Sequence, residues 1–431
     1  METDYAIIGG GVVGLSVAWG LLRRGRTVTV LDGDDGSFRA SRGNFGLIWV
    51  QSKGLNEPRY ARWSQRSAAA WQGFAEELQA NTGIDVSLEQ RGGYDFHFTE
   101  ESLAATVASY EALREKLDGD YPFEVLGNNA LRKEEPAVGP GVAGAILHHQ
   151  DGHANPLRLL RALAADVRRM GATVLNGRTV DSVSSAGEAG NHAYHAVRCT
   201  DGTCVRAARI VLSAGLGSIA LGPRLGFLAP LRPQRGQVLI TEKLPRLINR
   251  PSGTIRQVDE GGVQIGATNE EVGFDDAVTL SEIASLAADA TRVFPSLANA
   301  NLVRSWGALR ILSRDGLPIY HESARFPGVF LVTCHSGITL AAAHALVLPD
   351  WLEGTAPPGE SGFVEIRMRS ADPEDLTLRE ARLLGSADVL AYEPGTPDAI
   401  LDRARADAAR VALVPGTMPV GAAGLVVILR S

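Results

Sequence analysis

The sequence predicts an α/β fold with three parts: a discontinuous Rossmann-like domain on a parallel sheet, a second domain on a mixed or antiparallel sheet, and a short C-terminal α/β tail. Three observations predict it. The first thirty-two residues read as strand, helix, strand. Helix-turn-strand signals return near the middle of the chain. Between these parallel-type pieces lie stretches of alternating apolar and polar residues, which suit an antiparallel sheet.

In chain order, residues 4–8 (Asp-Tyr-Ala-Ile-Ile) read as a buried strand, Leu15 to Arg24 as an amphipathic helix and Arg26 to Asp32 as a second β-rich run. Leu157 to Met170 has helical periodicity and is followed by Gly171-Ala172-Thr173-Val174-Leu175, a turn into a strand. Residues 208–215 form another buried strand that ends in a glycine turn at Ala214-Gly215, whereas Gln237 to Thr241 and Val263 to Ala267 alternate. Because the two textures interleave, the first domain is expected from residues 1–85, 150–222 and 305–360, and the second from 86–149 and 223–304. Thr355 to Gly362 is linker-like, so the tail is placed at 361–431. Within it, Glu374 to Asp388 and Asp398 to Val411 read as helical runs rich in Ala, Arg and Leu.

Length and composition agree. A chain of 431 residues exceeds what one core usually organises. With 45% apolar residues, 21% charged residues and a mean hydropathy of zero, it has the composition of an ordinary globular protein. The net charge of −7 gives a nucleic-acid partner no electrostatic footing. Arg23, Arg24 and Arg26 read as a solvated helix end. Cys199, Cys204 and Cys334 are too few and wrongly spaced for a disulfide framework, a zinc site or a four-cysteine cluster, so no metal is expected. His148, His149 and His153 have no ligand spacing and read as surface or loop residues. No run of eighteen apolar residues suggests a membrane span, and the first residues lack a basic leader, so a cytoplasmic address is expected.

The chemistry-bearing motif is Gly9-Gly10-Gly11-Val12-Val13-Gly14, which follows a strand and opens a helix. In a G-x-G-x-x-G turn, Gly9 permits the sharp bend, Gly11 lets backbone approach a pyrophosphate and Gly14 lets helix and strand pack closely. The helix N-terminus favours phosphate charge. Asp32 ends the second strand, where a carboxylate can accept from a ribose hydroxyl. Together these features predict dinucleotide binding.

Four further segments decide which dinucleotide. They are Ala40-Ser41-Arg42-Gly43-Asn44-Phe45-Gly46, Ala214-Gly215, Trp306-Gly307-Ala308-Leu309-Arg310 with Asp315-Gly316-Leu317-Pro318, and Cys334-His335-Ser336-Gly337-Ile338-Thr339-Leu340-Ala341. In this order, over roughly residues 4–350, the chain resembles the D-amino-acid-oxidase-like family of flavoproteins, which includes glycine and sarcosine oxidases. That resemblance implies FAD, held by Gly9, Gly11, Val12, Val13, Gly14, Asp32, Ser41, Asn44, Gly46, Ala214, Gly215, Gly337, Ile338, Thr339 and Leu340. Ser41 and Asn44 are also common turn residues, and a structural loop is the alternative for them. His335 reads as a capping or otherwise satisfied polar residue rather than a base. Family members that attach flavin covalently carry a cysteine where Ala308 stands, so noncovalent FAD is expected.

The resemblance makes Arg310 the substrate-binding arginine. Its guanidinium fork matches a carboxylate bidentately, although a structural ion pair is the competing role. The implied activity is oxidation of an amine or amino acid to an imine by hydride transfer to flavin N5. A 2-hydroxy-acid oxidoreductase and a non-catalytic electron-relay subunit are the alternatives, and no oxygen-activating lysine is identified. Residues 42–51, Asp151-Gly152-His153-Ala154-Asn155-Pro156 and Arg232-Pro233-Gln234-Arg235-Gly236-Gln237 resemble the smaller flavoprotein subunits of hydrogen cyanide synthase and opine oxidases. This implies a larger flavoprotein or iron–sulfur partner. The tail around Ser370 to Asp388 resembles a siroheme-synthase-type segment, but without the glycine-rich loop that methyl transfer needs.

Overall fold

The N-terminal strand Glu2–Ile8 is flanked by parallel partners on both sides, Val28–Asp32 and Cys204–Leu212, with Ile8 opposite both Leu31 and Leu212. The computed structural model describes residues 1–33, 39–186, 194–227, 229–323, 325–354, 363–387, 389–404, 408–413 and 426–430. Thr173–Asn176 extends the parallel sheet beyond Val28–Asp32, and Val329–Thr333 extends it beyond Cys204–Leu212. Ile319–Glu322 adds an antiparallel edge. The strand order therefore reverses at Glu2–Ile8, and the crevice beyond the carboxyl ends of such strands is where α/β sheets bind ligands. The hairpin Val180–Ala186 and Tyr194–Cys199 continues from Cys204–Leu212.

Helices cover this sheet for local reasons. Pro156–Arg169 starts with Asn155, whose side chain accepts from the amides of Leu157 and Arg158, and proline takes the first helical position. Leu159, Ala162, Leu163, Asp166 and Val167 form its buried stripe. The buried Asp166 carboxylate takes donors from Trp19 Nε1 at 2.7 Å, Asn81 Nδ2 at 3.0 Å and Arg169 Nε at 2.7 Å, which ties three helices together.

Two antiparallel sheets share a second core. One runs Ile255–Gln257, Gly262–Gly266, Arg232–Lys243, Leu302–Leu312, and the other has Gly144–His148 between Gly93–His97 and Phe123–Gly127. The Tyr94 amide donates to the Pro251 carbonyl at 2.8 Å and joins them. Beneath them pack Tyr94, Leu147, Leu239, Ile265 and Phe294. The strand Leu302–Leu312, which carries Arg310, belongs to this antiparallel layer and pairs along most of its length with Arg232–Lys243.

The chain divides into two compact units, Met1–Leu346 and Val347–Ser431. The sequence pattern starts the tail at 361, after a linker at 355–362 that lies outside the described residues. The second unit is a four-stranded parallel sheet ordered Phe363–Arg367, Val426–Arg430, Val389–Tyr392, Ala409–Ala412, with helix Leu378–Ser386 and its own core of Leu384, Leu390, Ile400 and Leu429. The long helix expected over Asp398 to Val411 is corrected. Among the described residues of that span only Asp398–Leu401 is helical, and Ala409–Ala412 is a strand, because backbone pairing with Val389–Tyr392 overrides the helix-forming composition.

Two of the three clustered histidines are also corrected. His148 is fully buried on the middle strand of the three-stranded sheet, and His153 is buried in the short strand Gly152–His153 opposite Leu47. Only His149 is exposed, beside Glu124. Among the described residues no helix is long and apolar enough to cross a membrane, and no cluster of three potential metal ligands occurs.

Candidate flavin and substrate site

At the carboxyl end of Glu2–Ile8 the backbone turns through Gly9 at φ +114°, where a side chain is strained. The Gly9 amide donates to the Leu31 carbonyl at 2.8 Å. A Cβ on Gly14 would run into the Gly9 carbonyl and lie 2.6 Å from Ser213 Oγ. That contact presses the helix Val12–Arg23 against the turn and draws the Ser213-Ala214-Gly215 corner to it. Gly11 is different. A Cβ there would meet no backbone, and its near neighbour is Ser41 Oγ at 3.0 Å. Space is thus kept above the helix N-terminus, where the amides and the helix dipole favour a pyrophosphate.

Ser41 and Asp32 frame that space. Ser41 Oγ accepts from the Val12 amide at 3.0 Å and serves as the cap that Gly11 cannot provide. Asp32 Oδ2 accepts from the Gly10 amide at 2.5 Å, which fixes the carboxylate beside the turn. Asn44 Oδ1 accepts from the Gly46 amide at 2.7 Å, the local turn bond that its residue type suggests. Gly337 faces the same helix, since its Cβ would lie 3.3 Å from Val13 Cγ2. Thr339 Oγ1 accepts from the Trp49 amide at 3.1 Å and donates to the Leu47 carbonyl at 3.3 Å, linking the C-terminal loop to the segment that follows Gly46. Val12 and Leu340 are core residues, with 1% and 0% exposure.

A cavity of about 360 Å³ lies between the loops at residues 40–53 and 335–339 and the antiparallel sheet that carries Arg310. Asn44, Arg310, Ile338 and Thr339 reach it, together with Trp49, Lys53, Ala308 and His335. Among the described residues no aspartate or glutamate lines it. Arg310 lies across Gly236, whose missing Cβ would sit 2.7 Å from the guanidinium carbon. Its Nη1 donates to the Thr268 carbonyl at 2.6 Å and, more weakly, to Arg235 O and Gln234 Oε1, both at 3.4 Å. Burial lowers the Arg310 pKa, and Glu270 opposes the shift. The structural ion pair considered for Arg310 is not formed among the described residues. Glu270 instead pairs with Arg235 at 2.6 Å.

Sequence reasoning missed Lys53 and Trp49. Lys53 sits in no motif and joins the cavity lining through a turn that the buried Asp151 holds in place. His335 has the pattern of a capping residue, and its Nδ1 does lie 3.3 Å from Ser336 Oγ. It also lines the cavity, and burial, then Lys53 and Arg310, push its pKa down to about 3, so the ring is neutral.

Known proteins agree with this geometry. The model of the DAO family, FAD dependent oxidoreductase, matches residues 4–351. An opine oxidase subunit of Rhizobium meliloti is 41% identical over 382 residues, 88% of this chain and 97% of that protein. Hydrogen cyanide synthase subunit HcnC of Pseudomonas aeruginosa is 30% identical over 85% of this chain and 96% of its own length. The crystal structure of glycine oxidase from Geobacillus kaustophilus superposes with a TM-score of 0.75 at 25% identity, covering 83% of this chain and 96% of that one. A family match across most of the chain, with a glycine turn that keeps room for a pyrophosphate, assigns FAD as cofactor and oxidoreduction as chemistry. The chain belongs to the DAO family of FAD-dependent oxidoreductases.

Proposed function

We propose that the enzyme oxidises an amine bearing a carboxylate, an amino acid or N-substituted amino acid, to the corresponding imine, and that Arg310 holds the carboxylate. The observation that carries this reading is a guanidinium in a cavity without acidic lining among the described residues, hydrogen-bonded through Nη1. The Nε–Nη2 edge has the geometry for bidentate carboxylate binding. The opine oxidase and glycine oxidase relatives, by their names, act on substrates of this kind.

Bound FAD supplies the hydride acceptor, N5 of its ring. Gly9, Gly11, Gly14, Asp32 and Ser41 would hold its ADP half, and Asn44, Ile338 and Thr339 would border the ring. The protein's further contribution is electrostatic. Hydride loss requires the neutral amine, and the positive charge of Arg310 disfavours an ammonium beside it. Neutral His335 adds no charge at neutral pH. A side-chain base is therefore unnecessary, since the cavity selects the deprotonated amine on binding. Because two of the relatives are named as subunits, we also propose a partner subunit as the route by which electrons leave.

The test compares kcat/KM for an amino acid with that for its decarboxylated amine in native and Arg310→Met protein at equal flavin loading. Loss of a charge-assisted contact to a buried anion should lower the ratio by about 30-fold or more. An unchanged ratio would remove Arg310 from the substrate site.

A further inference from the structure

We propose that Lys53 is a second anion-binding residue of the substrate cavity, so that the substrate carries another anionic group besides the carboxylate assigned to Arg310. This rests on the reading of Arg310 above. It adds a specificity determinant: the favoured substrates are amines with two carboxylates, one on each side of the reacting carbon–nitrogen bond or at the end of a side chain.

The position of Lys53 is built rather than incidental. Its amide donates to the Val50 carbonyl at 3.1 Å, closing a turn in which Ser52 adopts φ +60°, an unusual conformation for a residue with a side chain. The buried Asp151 enforces this turn. Oδ1 accepts from Val50 N at 2.5 Å and Gln51 N at 3.4 Å, and Oδ2 accepts from Gln51 Nε2 at 2.8 Å. Gln51 Nε2 is held again by the Gly93 carbonyl at 2.9 Å. Such redundancy keeps a strained turn in place.

The same bonds occupy the nearby Asp151 carboxyl, which burial pushes up to about 7. Both oxygens of Asp151 are occupied by the turn, and among the described residues Lys53 has no ion pair and no side-chain hydrogen bond. Lys53 lines the cavity that Arg310 also lines, and among the described residues no acidic side chain lines that space. Burial and the charge of Arg310 lower its pKa, while Asp151 and Cys334 oppose the shift. Holding both groups charged in one desolvated cavity without a contacting anion is costly, and a ligand with two negative charges stabilises the charged form of each. A monoanion leaves one of them unanswered.

The experiment uses unreactive ligands, which separates binding from turnover. Flavin-loaded native, Lys53→Met, Lys53→Arg and Arg310→Met proteins are titrated with succinate, glutarate and adipate and with monocarboxylates of matching chain length, following the visible flavin spectrum. In the native protein at least one diacid should bind about tenfold or more tightly than its matched monoacid. Lys53→Met should abolish that preference with little change in monoacid affinity, and Lys53→Arg should keep most of it. A preference that survives in Lys53→Met overturns the proposal. So does an equal weakening of diacid and monoacid, which would place Lys53 on the Arg310 carboxylate or on the cofactor. Arg310→Met reports separately: if it leaves monoacid binding intact, the reading of Arg310 fails whatever Lys53 does.

Discussion

Gly11 and Ser41 show how a single missing side chain is used. A valine at position 11 would push Ser41 Oγ, 3.0 Å from the added Cβ, off the Val12 amide and fill the pyrophosphate space as well. Gly11→Val protein should fold and contain no FAD, as measured by absorbance after acid release; full flavin stoichiometry in a folded variant would contradict the cradle. Ser41→Ala separates the two roles. It removes the cap, at a cost of about 1 kcal/mol in stability, but leaves the space, so FAD should still bind, with a lowered urea midpoint. The two residues are legible in the sequence for different reasons. The glycine pattern states its own spacing, whereas Ser41 is found only by its resemblance to a family loop, because a cap twenty-nine residues away leaves no local signal.

The elements around the cavity are legible in proportion to how local their causes are. The opening strand, helix and strand, the helix Pro156–Arg169 and the alternating strand around Gln237 are periodic, and periodicity survives in sequence. Two things are not legible. Ala409–Ala412 is a strand through its neighbour's backbone, and the turn at Val50 to Lys53 exists because Asp151, a hundred residues on, reaches back to it. Gly93 shows the same nonlocal dependence. It opens the strand Gly93–His97, and a Cβ there would lie 2.5 Å from the Trp49 ring and 2.9 Å from Asp151 Cβ. Gly93→Ala should therefore destabilise the protein by about 1–3 kcal/mol through overpacking and shift the Trp49 ring that lines the cavity. The expected signature is a lower urea midpoint together with a raised KM. A variant with native stability and KM would show that the ring yields freely.

At the scale of the molecule, the two compact units make a tail deletion informative: a chain ending at Gly354, past the family match at 351, should retain FAD, and loss of flavin would show that the second unit supports the first. Burial pushes His148 down to about 4 and His153, His335 and His344 to about 3, with Arg256 adding charge repulsion at His153, and Lys53 and Arg310 at His335. These rings are neutral when folded and titrate near 6.5 when unfolded. Their contribution to stability is thus present above about pH 6.5 and lost as pH falls. Asp151 and Glu135 act oppositely. Burial raises both to about 7, so they stay protonated in the folded state while the unfolded chain releases those protons above about pH 4 to 5, and their contribution is lost as pH rises toward 7. Between about pH 5 and 6 four histidines oppose two carboxylates, and the unfolded state binds more protons. The net slope is roughly 2 to 3 kcal/mol of stability lost per pH unit on acidification. Stability should peak near neutrality and fall steeply below about pH 6, measured as the urea midpoint at saturating FAD. His344→Phe, which removes a fully buried ring bonded to Tyr320, should flatten that slope by about 1.4 kcal/mol per unit. A midpoint that stays constant from about pH 7 to pH 5 would mean that these histidines are protonated inside the folded protein.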